Sequence, residues 1–280
     1  MIIEKYYFLF FLGLIWISFA AIQDIRKREV ANWLNYSLIG FALAYRAFFS
    51  VLNKDAGFFV YGIVGFAVFF GLAYGFYYGK VFAGGDAKLL MGVGALIPFE
   101  SINDFVILGG GFLLVLFIIG GIYTLIYSLG IAIANFEMFR EHLKIKKYYL
   151  LFVISGIAGI FALMMADFLR GIIFFAVFEM LAFIYVFVKA VDKCMIRLKK
   201  AGELQEGDWI ENDIKLKNYT VKKTVHGLSM EDIKRLRKAK KQIMVKEGIP
   251  FIPVFLMAFL VMGFFLVNGL YYRIWAYFAL

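Results

Sequence analysis

The chain has 280 residues, of which 63% are apolar and 20% aromatic, and its mean hydropathy is +0.82. Soluble domains contain roughly 45–50% apolar residues, so this composition excludes a cytosolic globular enzyme and a disordered chain, while the single cysteine, Cys194, excludes a disulfide scaffold and a zinc knuckle. The net charge of +10 is interpreted first as membrane topology and only then as a nucleic-acid surface.

Apolar runs follow one another along the chain, and most of them approach the roughly 20 helical residues that cross a bilayer. The fourth run is short and rich in glycine, and the fifth is long enough to tilt or protrude. The sequence predicts an all-α polytopic membrane protein with about eight transmembrane helices, or six or seven if those two runs are counted differently. The runs are residues 6–23, 34–52, 57–79, 87–99, 104–134, 148–166, 171–190 and 250–272. Residues 1–190 are predicted to form the catalytic bundle and 250–280 the final helix with an outer carboxyl terminus.

The basic residues of the short loops predict the orientation. The side that includes Arg26, Lys27 and Arg28 carries nine Lys and Arg residues, whereas the opposite side carries four. Cytoplasmic loops are enriched in Lys and Arg, so we expect a multi-pass plasma-membrane protein with both termini outside. The basic cluster directly after the first run also favours a retained helix over a cleaved signal peptide.

Residues 191–249 form a basic segment that we predict to be cytoplasmic and α+β. Short strands are expected within 204–210 and 219–221, and Ser229 is expected to cap a helix that continues to about Val245. So few residues make a marginal core, and we expect the segment to lean on the membrane or the bundle. Few aromatic residues accompany its basic ones, which favours anionic lipid headgroups over nucleic acid as its partner.

Ionisable residues within apolar runs are costly and are candidates for function. Asp24 lies at the carboxyl end of the first run, where the helix dipole disfavours a carboxylate; its simplest interpretation is an interfacial acid balanced by the following basic cluster. Asp86 follows Gly84 and Gly85 at the amino end of the fourth run, where the simplest role is an N-cap. The two glycines would also let another backbone approach closely.

The predicted topology places Asp24 and Asp86 at the same cytoplasmic face on different helices. Two carboxylates held close together in a poorly hydrated site titrate as a coupled pair that shares a proton. One member can then draw a proton from water while its protonated partner polarises a carbonyl group, as in aspartic proteases. The pair therefore predicts peptide hydrolysis that needs no cofactor and no metal.

Asp24 with its downstream Arg and Asn32, and Gly84-Gly85-Asp86-Ala87-Lys88 at the head of a run, resemble the GxGD membrane aspartyl proteases. The sequence is most similar to type IV prepilin peptidases and especially to archaeal preflagellin (pre-archaellin) peptidases. Ala83 departs from the first glycine of the strict motif. The resemblance extends to three stretches of the carboxyl-terminal part, at residues 206–210, 227–233 and 246–251.

The resemblance implies that Asp24 and Asp86 are the catalytic aspartates, and it makes Gly84 and Gly85 part of the active-site loop. It further implies removal of a short positively charged leader from archaellin or pilin precursors at the cytoplasmic membrane face. Bacterial relatives that also methylate their product often carry paired CxxC motifs, which this sequence lacks, so we predict cleavage without N-methyl transfer. Two residues are auxiliary candidates, Lys88 and Glu179, the latter alternatively a buried acid hydrogen-bonded to a neighbouring helix.

Two other functions stay open. A presenilin-like protease would place its first aspartate in a Tyr-Asp pair deep in a helix, whereas here Gln23-Asp24 lies at the boundary. A secondary transporter could use Asp24, Asp86 and Glu179 as proton or cation sites, but it would tend to show repeated halves. Arg46, in the second run, is expected to snorkel or to pair with an acid, and Gly71 with Gly75 indicates close helix packing.

Overall fold

A computed structural model describes residues 4–165, 168–216, 219–224, 227–239 and 242–269. The chain divides into two compact units, residues 1–124 with 249–280 and residues 125–248, and each is described by itself. The last helix belongs to the same unit as the first ones, and the boundaries expected at residues 190 and 249 stay predictions. Residues 270–280, which include the predicted outer terminus, lie outside the described part.

The first unit is built from helices whose bounds follow the predicted apolar runs. A π-helical turn, Phe105–Gly109, leads into the helix that continues into the second unit. The helices are α1 (Glu4–Lys27), α2 (Asn32–Asn53), α3 (Ala56–Tyr78), α4 (Gly84–Leu96), α5 (Ile102–Asp104), α6 (Gly110–Ala134, to Thr124 in this unit) and α11 (Ile252–Val267).

Long apolar helices with apolar outer faces confirm the predicted class, a polytopic helical membrane protein. Phe11 and Phe19, for example, expose 57% and 58% of their surface on α1, as side chains do that face lipid. Five helical stretches within the described ranges are long and apolar enough to cross a membrane: Lys5–Lys27, Ala56–Tyr78, Ile102–Ala134, Phe136–Met165 and Leu169–Cys194. The count of eight crossings stays a prediction.

The short helix α4 packs against α2 and α3 in the centre of the first unit. A Cβ atom at Gly65 would collide with the carbonyl oxygen of Gly94, so these glycines bring the backbones of α3 and α4 into direct contact. The close packing predicted for Gly71 and Gly75 is wrong, since a Cβ atom added at either position would have no atom of the described residues within 4 Å. With 13 residues, α4 is about 20 Å long, which is less than the apolar thickness of a bilayer.

Arg46 neither snorkels nor pairs with an acid in the described part of the chain, which corrects the prediction for this residue. Its side chain is fully buried and donates to the carbonyl oxygens of Ala95 at 2.8 Å, Phe58 at 2.9 Å and Ile97 at 2.7 Å. Its guanidinium also lies 5.4 Å and 4.8 Å from the ring centroids of Tyr6 and Phe58. The residue therefore satisfies backbone oxygens where α4 ends.

The second unit combines membrane-type helices with small sheets. Strands β1, β5 and β2 form an antiparallel sheet in the order β1-β5-β2, and β3 pairs with β4. Beyond the carboxyl-terminal part of α6, the elements are α7 (Phe136–His142), a 3₁₀ turn (Ile145–Tyr148), α8 (Tyr149–Met165), α9 (Phe168–Cys194), β1 (Ile196–Lys200), a 3₁₀ turn (Ala201–Glu203), β2 (Trp209–Ile210), β3 (Ile214–Lys215), β4 (Thr220–Val221), α10 (Met230–Lys238) and β5 (Gln242–Lys246).

Two ion pairs join the end of α9 to the sheet that follows it. Lys246 lies 2.9 Å from Asp192, and Lys193 lies 2.6 Å from Glu211. The hydrogen bond from Lys193 lowers the pKa of Glu211 below its ordinary value. The sheet is thus attached to the end of α9 by these ion pairs.

The predicted secondary structure of residues 191–249 was partly wrong. Ser229 caps a helix as expected, its hydroxyl accepting from the backbone N–H of Asp232, but the helix ends at Lys238 and Val245 lies in β5. The segment also has an apolar core of its own rather than depending on other surfaces for burial. That core consists of Ala201, Leu204, Ile210, Val221, Leu228, Ile233, Leu236, Ile243 and Val245.

Candidate active site

Asp24 lies in the last turns of α1 and is 8% exposed. Its Oδ2 atom accepts a hydrogen bond of 3.0 Å from the backbone N–H of Ile252, and the backbone of Phe251 supplies a second one. Both donors belong to the start of α11, where backbone N–H groups lack helical partners. The carboxylate therefore faces the positive end of a helix dipole, a partner that local sequence did not indicate.

The loop after Asp24 is fixed by its own hydrogen bonds. The backbone N–H of Arg28 donates to the carbonyl oxygen of Asp24 at 2.9 Å, and Arg28 adopts a left-handed conformation with φ 57°. The backbone N–H of Ala31 donates to Oε1 of Gln23 at 3.0 Å. These bonds turn the chain from α1 into α2, and the Arg28 guanidinium interacts electrostatically with the Asp24 carboxylate.

Asp86 lies at the third position of α4 and is 9% exposed. Its Oδ2 atom accepts a hydrogen bond of 3.1 Å from the backbone N–H of Ala83, so the side chain reaches back to the residue before the helix. The simple interpretation of Asp86 as an N-cap is therefore corrected: Ala83 occupies the cap position, and Gly84 and Gly85 are the first helical residues rather than a preceding turn.

The structure brings the two aspartates close enough for their carboxylates to interact electrostatically. Polar contacts at the start of α4 help to hold this arrangement, since Nζ of Lys88 donates to Oδ1 of Asn32 at 2.6 Å. Thus the first two turns of α4 meet the start of α2, next to the loop that carries the chain on from Asp24.

An aromatic cluster joins the starts of α4 and α11. Phe82 precedes the cap of α4, and its ring centroid lies 5.7 Å from that of Phe251 and 5.8 Å from that of Phe255. Ring pairs at these separations are favourable contacts. The backbone N–H groups that donate to the two carboxylates therefore lie in segments held together by this aromatic cluster.

Gly84 and Gly85 leave the backbone at the start of α4 partly open. A Cβ atom at Gly84 would lie 3.8 Å from Tyr77, and one at Gly85 would lie 3.9 Å from Val30. These are ordinary van der Waals distances, so the packing of the described residues does not require glycine at either position. The close backbone approach predicted here does not occur within the described chain.

The two auxiliary candidates lie in different units. Lys88 follows Asp86 by two residues in the first unit, where it bonds Asn32. Glu179 belongs to the second unit, is half-buried, and accepts a hydrogen bond of 3.0 Å from the hydroxyl of Ser155, which joins α9 to α8. No group of three His, Cys, Asp or Glu side chains able to hold a metal ion occurs among the described residues.

Sequence reasoning overlooked Asn35, a polar residue on the buried face of α2. It is 1% exposed, and neither its amide oxygen nor its amide nitrogen has a hydrogen-bond partner in the described part of the chain. On the same helix Asn32 bonds Lys88 and Leu38 packs against Gly92, so Asn35 faces α4 between these contacts. In the sequence, only its position as a polar residue within an apolar run could have indicated that it is buried.

Residues 11–129, which include both aspartates, match the family model described as the type IV leader peptidase family. The family resemblance is confirmed over this part of the chain, and its extension to residues 206–210, 227–233 and 246–251 stays a prediction. A preflagellin peptidase of Methanocaldococcus jannaschii is 38% identical over 89 residues, which are 32% of this chain and 38% of the relative.

Two further relatives come from other organisms. A preflagellin peptidase of Methanococcus voltae is 36% identical over 95 residues, 31% of this chain and 37% of that protein. The prepilin peptidase EppA of Methanothermobacter thermautotrophicus is 30% identical over 103 residues, 36% of this chain and 27% of that protein. The chain thus spans well under half the length of each relative. No solved structure matches it significantly.

Proposed function

We propose that the chain is a membrane aspartic endopeptidase that removes the positively charged leader from preflagellin-like or prepilin-like subunits. The observation that carries this proposal is the electrostatic interaction between the Asp24 and Asp86 carboxylates within the region that matches the leader peptidase family. Preflagellin and prepilin are the substrates named for the relatives, and they supply the substrate class.

The chemistry follows from a pair that holds one proton. The ionised carboxylate takes a proton from water as the water oxygen attacks the scissile carbonyl carbon, while the protonated carboxyl donates a hydrogen bond to the carbonyl oxygen. The tetrahedral intermediate then collapses as the proton taken from water passes to the leaving nitrogen. The products are a leader with a new carboxyl terminus and a mature subunit with a new amino terminus, and no cofactor enters the balance.

The start of α4 supports the approach of an extended substrate. Gly84 and Gly85 are partly exposed, and the packing of their neighbours would also accept a residue with a Cβ atom at either position. We therefore assign these glycines the role of letting the substrate backbone approach. A peptide lying across them would bring its scissile bond to the carboxylate of Asp86. The distribution of basic loop residues favours a site at the cytoplasmic face. There a positive leader would stay inside the cell while the apolar helix that follows it remains in the bilayer.

The basic segment of residues 191–249 is assigned to the membrane surface rather than to the leader. Its excess of Lys and Arg would repel a positive leader but would attract anionic headgroups. We further propose that the product is released without N-methylation, since the chain has one cysteine and so lacks the paired CxxC motifs expected of the methylating relatives.

The test is a cleavage assay with the purified protein in liposomes. Synthetic archaellin and pilin precursors with intact leaders are supplied together with a methyl donor, and the products are identified by mass spectrometry. We expect the free leader and a mature subunit with an unmethylated amino terminus. Intact precursors across a panel of leaders would contradict the proposed function. A methylated product would contradict only the proposal that the mature subunit is released without N-methylation.

A further inference from the structure

The two aspartates differ in the groups that act on their carboxylates. Asp24 receives backbone hydrogen bonds from Ile252 and Phe251 and faces the Arg28 guanidinium. Among the described residues, the groups that act on the Asp86 carboxylate are the Ala83 N–H and the Asp24 carboxylate. Asp24 thus has two donors and a cation, whereas Asp86 has one donor. The repulsion between the two carboxylates acts equally on both and does not distinguish them.

Helix dipoles do not remove this difference. Asp86 lies in the first turn of α4 and Asp24 faces the first turn of α11, so each carboxylate is near a positive helix end. Asp24 also belongs to the carboxyl end of α1, which disfavours negative charge, but the Arg28 guanidinium just beyond that end acts in the opposite sense. Exposure does not separate the pair either, since the two side chains are almost equally buried.

We infer that the shared proton belongs to Asp86, and that Asp24 is the ionised member that takes the proton from water. Arg28 and the amino end of α11 act as positioning groups that hold Asp24 in its ionised form. This assignment rests on the proposed function, because it divides the catalytic roles within the same pair. It also gives α11, which is remote in sequence, a role in the reaction.

Hydrogen bonding and a nearby cation both favour the charged form of a carboxyl group. The acidic limb of a pH profile of kcat/KM reports protonation of the base, and the alkaline limb reports loss of the proton from the acid. If Asp24 is the base, weakening its positive surroundings moves the acidic limb. If Asp86 were the base, the same change would move the alkaline limb, since Asp24 would then be the group that must stay protonated.

The first test changes Arg28 in the full-length protein and measures the whole pH profile of leader cleavage. Arg28→Gln is expected to move the acidic limb upward by about half a pH unit, the size expected for an exposed charge, and Arg28→Lys should restore it. Arg26→Gln and Lys27→Gln are matched controls: each removes one charge from the same exposed cluster and would weaken the repulsion of a positive leader equally, without moving the limb.

A second test removes the hydrogen bond from α11 directly. Cell-free synthesis with the α-hydroxy analogue of isoleucine at position 252 replaces the peptide N–H by an ester oxygen and keeps the side chain. The acidic limb should then rise by roughly one pH unit. An ester at position 254 is the control, because it removes the 3.0 Å bond from Val254 to the Phe251 carbonyl without touching Asp24.

The outcomes separate this inference from the function on which it rests. No cleavage by the unmodified protein at any pH would overturn the proposed function, and the role assignment with it. Cleavage in which Arg28→Gln and the position 252 ester move the alkaline limb, or move neither limb, would overturn the role assignment alone.

Discussion

At the scale of single residues, the Arg46 guanidinium is fully buried and lies among three carbonyl oxygens that need donors. Its three hydrogen bonds, all between 2.7 and 2.9 Å, serve Phe58 and the end of α4. Hydrogen bonds to charged groups are stronger than those between neutral partners. The charge is therefore stabilised by carbonyl dipoles and by the Tyr6 and Phe58 rings, with a further electrostatic contribution from Glu100.

We predict that Arg46→Met lowers the free energy of unfolding by about 3 kcal/mol or more, because buried carbonyl groups lose their partners. The measurement is denaturant unfolding in detergent micelles. Ser50→Ala on the same helix is the control: its buried hydroxyl has no partner among the described residues, so its removal should leave stability unchanged or raise it. An Arg46→Met protein as stable as the wild type would contradict this account.

Sequence reasoning could locate such residues but could not assign their partners. Asp24, Arg46 and Asp86 stood out because charges are rare in apolar runs. The donor to Asp24 comes from Ile252, 228 residues further along the chain, and no local pattern contains such a contact. Pro253 near the start of α11 indicated where that helix begins, but not that its first N–H groups bind a carboxylate.

At the scale of secondary-structure elements, α4 is fixed at both ends and along its side. The Ala83 N–H donates to the Asp86 carboxylate at its start, Arg46 binds the carbonyl groups at its end, and Gly94 contacts Gly65 of α3. These contacts give the start of α4 a defined position beside Asp24. The glycines at its first two positions are then free to serve a substrate.

We predict that Gly85→Leu reduces leader cleavage at least tenfold, whereas Gly85→Ala stays near the wild-type rate. The alanine Cβ fits at 3.9 Å from Val30, but a leucine side chain would extend over the surface assigned to the substrate. The rate of leader release and the unfolding transition are measured together. Full activity of a folded Gly85→Leu protein would contradict the substrate assignment, and Gly121→Leu, in open space on α6, controls for an added side chain.

Element boundaries show where a sequence pattern was ambiguous. Ile243 follows Leu236 by seven residues and so fitted the buried face of a continued helix. In the structure Ile243 and Val245 are buried while Gln242 and Met244 are exposed, which is the alternation of a strand. Five residues fit the spacing of either a helix or a strand, and pairing with β1 and β2 decides between them.

At the scale of the whole molecule, the apolar runs predicted the helices well, because lipid requires long, internally hydrogen-bonded segments. The division into two units could not be predicted in this way. It depends on which helices pack together, and the last helix packs with α1. Orientation in the membrane follows from loop charge alone, so it stays a prediction.

We predict that Lys54 lies outside and Lys80 inside the cell, since they flank opposite ends of α3. Both lysines are exposed and have a left-handed backbone conformation, with φ 53° and 61°. Single cysteines at the two positions therefore form a matched pair. In a Cys194→Ala background, an impermeant maleimide should label position 54 in intact cells and position 80 only after permeabilisation. The reverse pattern would invert the topology and move the aspartates to the outer face.

The most direct test of the account removes one carboxylate at a time. The purified protein, Asp24→Asn, Asp86→Asn and the control Asp55→Asn, whose carboxylate caps α3, are reconstituted in liposomes, and release of the leader is measured. We predict that the wild type and Asp55→Asn cleave, and that each active-site variant loses at least about 100-fold in rate while remaining folded. A folded Asp24→Asn or Asp86→Asn protein that still cleaves within tenfold of the wild-type rate would contradict the two-aspartate mechanism.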